Sequence, residues 1–214
     1  MKIKPNSKAT LVPNSGSQAG QESFVLNMHN FKKNGTYLEI GSGFPIQDSN
    51  TYILESEYGW KGIGIDLLEE RVTQHQKQRK NPCIQTNAVF TDYNRLLSRY
   101  NMPKQIDYLQ VDVDFNPQTF EHNSLSTLKN VIACDYRFSV ITFEHDVYYT
   151  HTEVNSKQAK EKAREILLEN GYQLFGDNIQ DFRGLPFEDW YIDPTIFDWE
   201  IVFSDLRGTD LFSK

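Results

Sequence analysis

The sequence predicts a doubly wound α/β fold, with a mostly parallel seven-strand sheet and helices on both of its faces. Three observations carry this prediction. The apolar segment 37–40 runs into the glycine turn Gly41-Ser42-Gly43, a second apolar segment ends on Asp66, and residues 106–113 are apolar almost throughout. A parallel strand that is buried on both faces has such a continuous apolar run. Strands that alternate with helices form a parallel sheet that binds ligands at its carboxyl edge.

The length of 214 residues suits one domain with a complete core. Residues 1–16 are polar and contain Pro5 and Pro13. We therefore expect a flexible N-terminal arm at 1–16, followed by a single domain at 17–214. The first helix is expected to begin near Ser17, a good capping residue, and to stop before Gly35.

The later elements follow from capping residues and apolar periodicity. Gly59, Pro82 and Gly171 each follow a helical pattern and end it. The predicted helices are 50–58, 67–80, 94–100, 125–131 and 153–170, and the predicted strands are 36–40, 61–66, 83–89, 106–113, 139–144, 172–175 and 200–203. The stretch 176–200 is expected to be an irregular insertion.

The composition disfavours some partners. The net charge of −7 and the isoelectric point near 5.3 argue against nucleic acid, which selects a basic face. The densest basic run, 74–80, is predicted to be a solvated helix face. Cys83 and Cys134 are expected to be reduced core residues. With no apolar run of about 18 residues and no signal-peptide pattern, we expect no membrane span and a cytoplasmic protein.

The glycine turn indicates a nucleoside ligand whose ribose hydroxyls bind Asp66. A dinucleotide would also need a third glycine for its pyrophosphate, and here Ile46 occupies that position. The chain has no G-x-x-x-x-G-K-[ST] motif for a nucleoside triphosphate. S-adenosylmethionine has no phosphate and suits this wider turn, with Glu39, Gly41 and Gly43 beside its methionine part. The alternative is that the glycines only end a strand.

The adenine edge would lie at the end of the third strand, beside Asn87-Ala88, although a plain strand-to-helix turn also explains these residues. Asp112 would meet either the cofactor or a helix amino terminus. We assign cofactor binding to Glu39, Gly41, Ser42, Gly43, Asn50, Asp66, Leu67, Asn87, Ala88 and Asp112.

Acidic side chains and one histidine follow two strands whose ends a doubly wound fold places side by side. Asp112 and Asp114 end the fourth strand, and Glu144 and His145 end the fifth. Methyl transfer is an in-line displacement that requires correct positioning, and a base helps when the acceptor is a hydroxyl. Histidine titrates near neutral pH, so His145 is the candidate base, with Asp112 and Asp114 as further catalytic residues. A structural histidine is the alternative.

The same carboxylates leave a second route to activation. Mg²⁺ binds one or two carboxylates together with waters and substrate oxygens. Such an ion would lower the pKa of a bound hydroxyl and replace the base. A divalent metal is therefore an open alternative, although we do not expect one.

Several segments resemble the FkbM-like class I methyltransferases. They are Ser17-Gln18-Ala19-Gly20-Gln21-Glu22, Tyr37-Leu38-Glu39-Ile40-Gly41, Ser49-Asn50-Thr51-Tyr52, Gly59-Trp60-Lys61-Gly62-Ile63, the run from Ile106 to Asp114, and Phe143-Glu144-His145. The resemblance implies a seven-strand methyltransferase fold, S-adenosylmethionine as the donor, and O-methylation of sugars, glycans or polyketide-like acceptors. The chain departs from the family pattern in its Gly41-Ser42-Gly43-Phe44-Pro45 turn and at Asp114-Phe115-Asn116-Pro117, where the family often has Glu-Gly.

Together these features predict a methyltransferase that acts on a sugar, a glycan or another small hydroxylated acceptor. The aromatic residues of 176–200, Trp190 above all, would form one wall of the acceptor pocket. Two alternatives remain open: a methyltransferase that acts on protein or nucleic acid, and a nucleotide-binding module without catalysis.

Overall fold

The computed structural model describes residues 2–6, 10–13, 16–113, 123–145, 147–148, 153–181 and 183–198. Within these residues, seven strands form one sheet. They are β1 Thr36–Ile40, β2 Lys61–Asp66, β3 Cys83–Gln85, β4 Gln105–Val111, β5 Arg137–Glu144, β6 Gln173–Gln180 and β7 Pro186–Ile192.

The strand order is β3-β2-β1-β4-β5-β7-β6. The strands from β3 to β5 are parallel, whereas β7 is antiparallel to both β5 and β6. The order reverses between β1 and β4, so a topological switch point lies there, where open α/β sheets bind their ligands. The predicted fold class is confirmed.

The helices cover both faces of this sheet. They are α1 Gln21–Met28, α2 Tyr52–Ser56, α3 Glu69–Gln78, α4 Tyr93–Arg99, α5 Asn123–Ile132 and α6 Glu153–Glu169. One core packs α1 and α2 on the sheet through Phe24, Leu54 and Trp190. The second core, on the other face, contains Leu97, Leu128 and Leu167 of α4, α5 and α6.

The central strands form where predicted because their apolar runs are buried on both sides of the sheet. β1 and β2 have the predicted bounds. β3 is shorter than predicted, because a 3₁₀ turn, Ala88–Phe90, follows it. Asn87 begins that turn with its Oδ1 atom, which accepts a hydrogen bond from the Val89 N–H at 2.9 Å.

The stretch 176–200 is not an irregular insertion, and that prediction is wrong. β6 continues to Gln180, a turn with Gly184 at φ +77° follows, and β7 returns antiparallel to it. Pro186 is tolerated because it opens the strand. Glu188 and Asp189 look like loop residues in the sequence, but both are buried in the sheet. The predicted last strand, 200–203, lies outside the described residues.

The described part of the predicted N-terminal arm contacts the domain. Ile3 forms a bridge with Phe197, the Asn6 N–H donates to the Asn27 carbonyl oxygen, and Val12 is buried. Among the described residues, none of the helices combines the length and the apolar character needed to cross a membrane.

Candidate active site

A cavity of about 360 Å³ opens at the carboxyl ends of β1, β2 and β4, beside the switch point. Its lining residues come from the glycine turn, the ends of β2 and β3, and the segment after β4: Gly41, Gly43, Phe44, Ile65, Asp66, Leu67, Leu68, Arg71, Thr86, Asn87, Ala88, Val89, Asp112, Val113 and Asn123. The assigned cofactor residues Gly41, Gly43, Asp66, Leu67, Asn87, Ala88 and Asp112 thus share one cavity. Glu39, Ser42 and Asn50 do not line it.

Gly41 lines the cavity where β1 ends. Its φ of +80° favours glycine, and its N–H donates to the Ile65 carbonyl oxygen at 2.9 Å. A Cβ atom built on Gly41 would lie 1.5 Å from the carbonyl oxygen of Asp112. Only glycine therefore allows the backbone after β1 to pass the end of β4 this closely.

Asp66 fixes the geometry of the cavity rim. Its Oδ2 atom accepts from the Gly43 N–H at 2.9 Å, and its Oδ1 atom accepts from the Leu68 N–H at 2.8 Å, just before α3. A carboxylate has about four acceptor positions, so two remain for a ligand. Asp66 can therefore hold the turn and bind hydroxyl groups at the same time.

An aromatic and a cationic side chain flank the opening of the cavity. The guanidinium of Arg71 lies 3.5 Å from the ring centroid of Phe44. Leu67 and Leu68, which are exposed, continue this apolar rim. Such a rim suits the flat, partly apolar face of a nucleoside.

Glu39 lies behind the cavity and is completely buried. Burial raises the pKa of its carboxyl group to about 7, although the Arg79 charge and hydrogen bonds from Thr51 and Ser49 act against this shift. The Ser49 hydroxyl donates to Oε1 at 3.4 Å, whereas Oε2 has no hydrogen-bond partner among the described residues. A buried acceptor of this kind requires a donor, so it indicates a ligand or an ordered water.

Ser42 and Asn50 are also buried beside the turn. The Ser42 hydroxyl contacts Cys83 Sγ at 3.3 Å, and its carbonyl oxygen lies 3.3 Å from His75 Nε2. Ser42 therefore joins the glycine turn to β3 and α3 and does not line the cavity. The sequence alone does not distinguish this structural role from direct contact with a ligand.

Arg79 is a residue near the site that the sequence analysis misjudged. It directly follows α3 within the run 74–80, which is predicted to be a solvated helix face, yet only 8% of Arg79 is exposed. Its guanidinium donates hydrogen bonds to the Glu55 carboxylate of α2, to the Tyr37 hydroxyl of β1 and to the carbonyl oxygen of Pro45, two residues after the glycine turn. Its partners are remote in the sequence, so no local pattern identified it.

The structure does not bring His145 into the cavity. His145 is completely buried at the end of β5, and its Nε2 atom lies 3.5 Å from Asp189 Oδ1. Burial would raise the pKa of Asp189, but hydrogen bonds from His145 and Arg164 outweigh it and hold that pKa well below its ordinary value. His145 thus does not line the cavity, and its role as the base stays a prediction. Asp114, the other predicted catalytic residue, lies outside the described residues.

Trp190 is not a wall of an acceptor pocket, so this prediction is corrected. The Trp190 ring stacks on Phe24, with 4.4 Å between ring centroids, in the core under α1. Its Nε1–H donates to Glu188 Oε1 at 2.6 Å. Trp190 is buried in this core because it belongs to β7, a strand inside the sheet, and not to a loop.

No group of three or more His, Cys, Asp or Glu side chains is arranged to hold a metal ion in the part of the chain that the structure describes. Of the acids predicted to lie at the strand ends, Asp112 lines the cavity. Glu144 instead accepts a hydrogen bond from the Tyr148 hydroxyl at 3.3 Å.

Comparison of the sequence with family models and with curated proteins finds no match. Solved structures do match. A SAM dependent methyltransferase from Aquifex aeolicus aligns with a TM-score of 0.52 at 14% identity, over 86% of this chain and 94% of its own. The N-methyltransferase NodS from Bradyrhizobium japonicum WM9 aligns with a TM-score of 0.53 at 12% identity, over 81% of this chain and 94% of its own.

The plantazolicin methyltransferase BpumL, solved in complex with SAH, aligns with a TM-score of 0.52 at 14% identity, over 83% of this chain and 82% of its own. These similarities cover most of both chains, but the sequence identities are low. Together with the strand order and the antiparallel β7, they show that the chain has the Rossmann-like fold of class I methyltransferases.

Proposed function

We propose that this chain is a methyltransferase that takes its methyl group from S-adenosylmethionine bound in the cavity between β1 and β4. The observation that carries the proposal is the cavity beside the switch point, where Gly41 passes so close to the Asp112 carbonyl oxygen that a Cβ atom would overlap it. The fold neighbours solved with SAH support the same donor class.

The residues of the cavity suit the three parts of this donor. Asn87 and Ala88 would lie along the adenine, and Asp66 would accept hydrogen bonds from the ribose hydroxyls. Glu39 has an acceptor atom without a partner among the described residues and would face the methionine ammonium group. The finer assignment to the FkbM-like methyltransferases is supported by the sequence segments that resemble that family.

The bound donor supplies an electrophilic methyl group, and the protein mainly has to position the acceptor in line with it. Asp112 lines the cavity, and we propose that it contacts the acceptor. For His145 we propose positioning of the β5 end through its contact with Asp189, because its ring is sealed from the cavity.

For the acceptor we propose a sugar, a glycan or another small hydroxylated molecule, as the FkbM-like resemblance implies. The net charge of −7 supports a small molecule over nucleic acid. A nitrogen acceptor is the second candidate, favoured by the N-methyltransferase among the fold neighbours. The free thiols of Cys83 and Cys134 support a cytoplasmic location for the enzyme.

Calorimetry with S-adenosylhomocysteine, and with NAD as the control ligand, tests the donor. We expect binding of the former alone, and binding of NAD alone would refute the proposal. Labelled S-adenosylmethionine with a panel of glycans, amines and RNA then tests the acceptor. Label transfer to glycans supports the hydroxylated acceptor, whereas transfer only to amines or only to RNA rejects it.

A further inference from the structure

The guanidinium of Arg79 donates hydrogen bonds to several elements of the fold. Its Nε–H donates to Glu55 of α2 at 2.8 Å, and one Nη2–H donates to the Tyr37 hydroxyl of β1 at 3.0 Å. An Nη1–H donates to the carbonyl oxygen of Pro45, two residues after the glycine turn, at 2.9 Å. Because an Arg side chain has five N–H donors in a fixed planar arrangement, it can hold these elements in one geometry.

Two further donors of Arg79 reach hydroxyl groups that themselves contact Glu39. Nη1 donates to Ser49 Oγ at 3.2 Å, and Nη2 donates to Thr51 Oγ1 at 3.0 Å. Ser49 Oγ, which accepts from the guanidinium, donates its own proton to Glu39 Oε1 at 3.4 Å, and the Thr51 hydroxyl lowers the pKa of Glu39. In this arrangement Oε1 of Glu39 accepts from Ser49, whereas Oε2 is buried and has no hydrogen-bond partner among the described residues.

We propose that Arg79 is a positioning residue for the methyl donor, which holds the glycine turn through Pro45 and presents Glu39 to the donor's ammonium group through Ser49 and Thr51. This inference rests on the proposed function and deepens it. Arg79 directly follows α3 and does not line the cavity, so it would act on the donor site through its partners and without contact with the donor.

The ionisation of Glu39 gives this role a measurable signature. Because burial raises the Glu39 pKa to about 7, Glu39 gains its charge as the pH rises through about 7, and the affinity for an ammonium ligand rises with it. The Arg79 charge lowers this pKa. The titratable and charged groups that interact with Glu39 are Arg79, Glu55, Tyr37, Cys83 and Tyr108. Arg79 is the cation in this group.

The test measures the Kd of S-adenosylhomocysteine by calorimetry between pH 5.5 and 8 for the full chain and its variants. Arg79→Gln should weaken binding about tenfold to a hundredfold, since hydrogen bonds to charged groups are lost. It should also move the midpoint of the pH dependence up by about one pH unit or more. Arg79→Lys should restore part of the midpoint shift but less of the affinity, because lysine keeps the charge and loses the planar set of donors.

Arg137→Gln is the matched control. Arg137 lies at the opposite, amino end of β5 and forms an ion pair with Asp193 at 2.6 Å. This variant should lower the melting temperature while it keeps the wild-type Kd and midpoint. Ser49→Ala removes one hydroxyl of the arrangement without the loss of Arg79, and should shift the midpoint in the same direction by less.

The outcomes separate the two proposals. A folded Arg79→Gln variant with wild-type Kd and midpoint overturns the positioning role and leaves the proposed function intact. If Arg79→Gln does not fold, an unchanged midpoint in Ser49→Ala overturns the role instead. A wild-type chain that does not bind S-adenosylhomocysteine overturns the proposed function, and the positioning role with it.

Discussion

The polar groups at the carboxyl edge of the sheet have opposite environments in its two halves, one around β1 and β2 and the other around β5 and β7. Around β1 and β2, Asp66 and the glycine turn are held by backbone hydrogen bonds and face an open cavity. Around β5 and β7, His145, Glu188 and Asp189 are buried and bound to other side chains. The same edge of one sheet thus carries a ligand-accessible half and a sealed half.

This difference shows that acidic groups at strand ends do not by themselves indicate a site that a ligand can reach. A charged group in the sealed half stabilises the fold only while its partners remain, because an unpaired buried charge is costly. A charged group in the open half retains acceptor positions for a ligand. Substitutions in the open half should therefore change donor affinity, and substitutions in the sealed half should change stability.

The largest effect is expected for Gly41→Val. A side chain at this position would overlap the Asp112 carbonyl oxygen and would adopt a disfavoured positive φ, so binding of S-adenosylhomocysteine should be lost. The matched control is Gly184→Ala, because Gly184 also has a positive φ, a Cβ atom built on it would meet only Gln180 Oε1 at 4.0 Å, and it does not line the cavity. If calorimetry finds that folded Gly41→Val binds as well as Gly184→Ala, the cavity is not the donor site.

Asp189→Asn probes the sealed half. The Asp189 side chain is completely buried and accepts from Arg164 Nε at 2.7 Å and from the Asn178 N–H at 2.9 Å. Because Arg164 is partly exposed, we expect a loss near the low end of the range for broken buried pairs, about 3 kcal/mol in the free energy of unfolding. Urea denaturation measures this loss.

Donor affinity should stay unchanged in folded Asp189→Asn. A large loss of S-adenosylhomocysteine affinity, measured by calorimetry where the variant is fully folded, would contradict the division into two halves. It would instead connect the sealed half to the donor site.

Asp66→Ala tests the open half more gently. If Asp66 binds the ribose, the variant should lose about 1.5–3 kcal/mol for a charge-assisted hydrogen bond, roughly a ten- to hundredfold rise in Kd. Asp92→Ala is the matched control, because Asp92 also starts a helix by accepting from a backbone N–H, of Arg95 at 3.0 Å, and does not line the donor cavity. Equal Kd values for the two variants would exclude ribose binding by Asp66.

The last prediction concerns the pH dependence of stability. Burial raises the pKa of Glu188 to about 8, above its ordinary value of 4.5. Between these values the folded state binds a proton that the unfolded state releases, so stability falls as the pH rises from about 4.5 to 8. Glu39, with its pKa near 7, adds to the fall at lower pH.

Glu188→Gln should therefore flatten this dependence. We expect the melting temperature of the wild type to drop by several degrees more than that of the variant between pH 5.5 and 8, since one pKa unit is about 1.4 kcal/mol and about 1 kcal/mol corresponds to about 2–4 °C in a domain of this size. If the melting temperatures of the wild type and of Glu188→Gln change equally over that pH range, Glu188 is ionised in the folded state and the prediction is wrong.

Local patterns predicted the open half well because its residues are close together in the sequence. The glycine turn directly follows β1, and Asp66 is the last residue of β2, so a strand period and a positive φ are enough to bring them to one edge. The parallel central strands were predicted for a similar reason, since their apolar runs require burial on both faces.

The sealed half could not be predicted in this way. The hairpin of β6 and β7 carries a proline and two acids, which locally indicate a loop, and only its pairing with β5 buries them. The burial of Arg79 could not be predicted for the same reason. Arg79 belongs to a polar run, and its partner Tyr37 is 42 residues away in the sequence.

The sequence by itself determined the fold class, the glycine turn and the acid at the end of β2, because steric limits on the backbone and apolar burial act over a few residues. Only the tertiary structure decided which polar side chains meet a cavity and which are sealed. Desolvation and pairing depend on groups that fold together from distant segments, so Asp112 lines the cavity while His145 and Arg79 lie buried behind their partners.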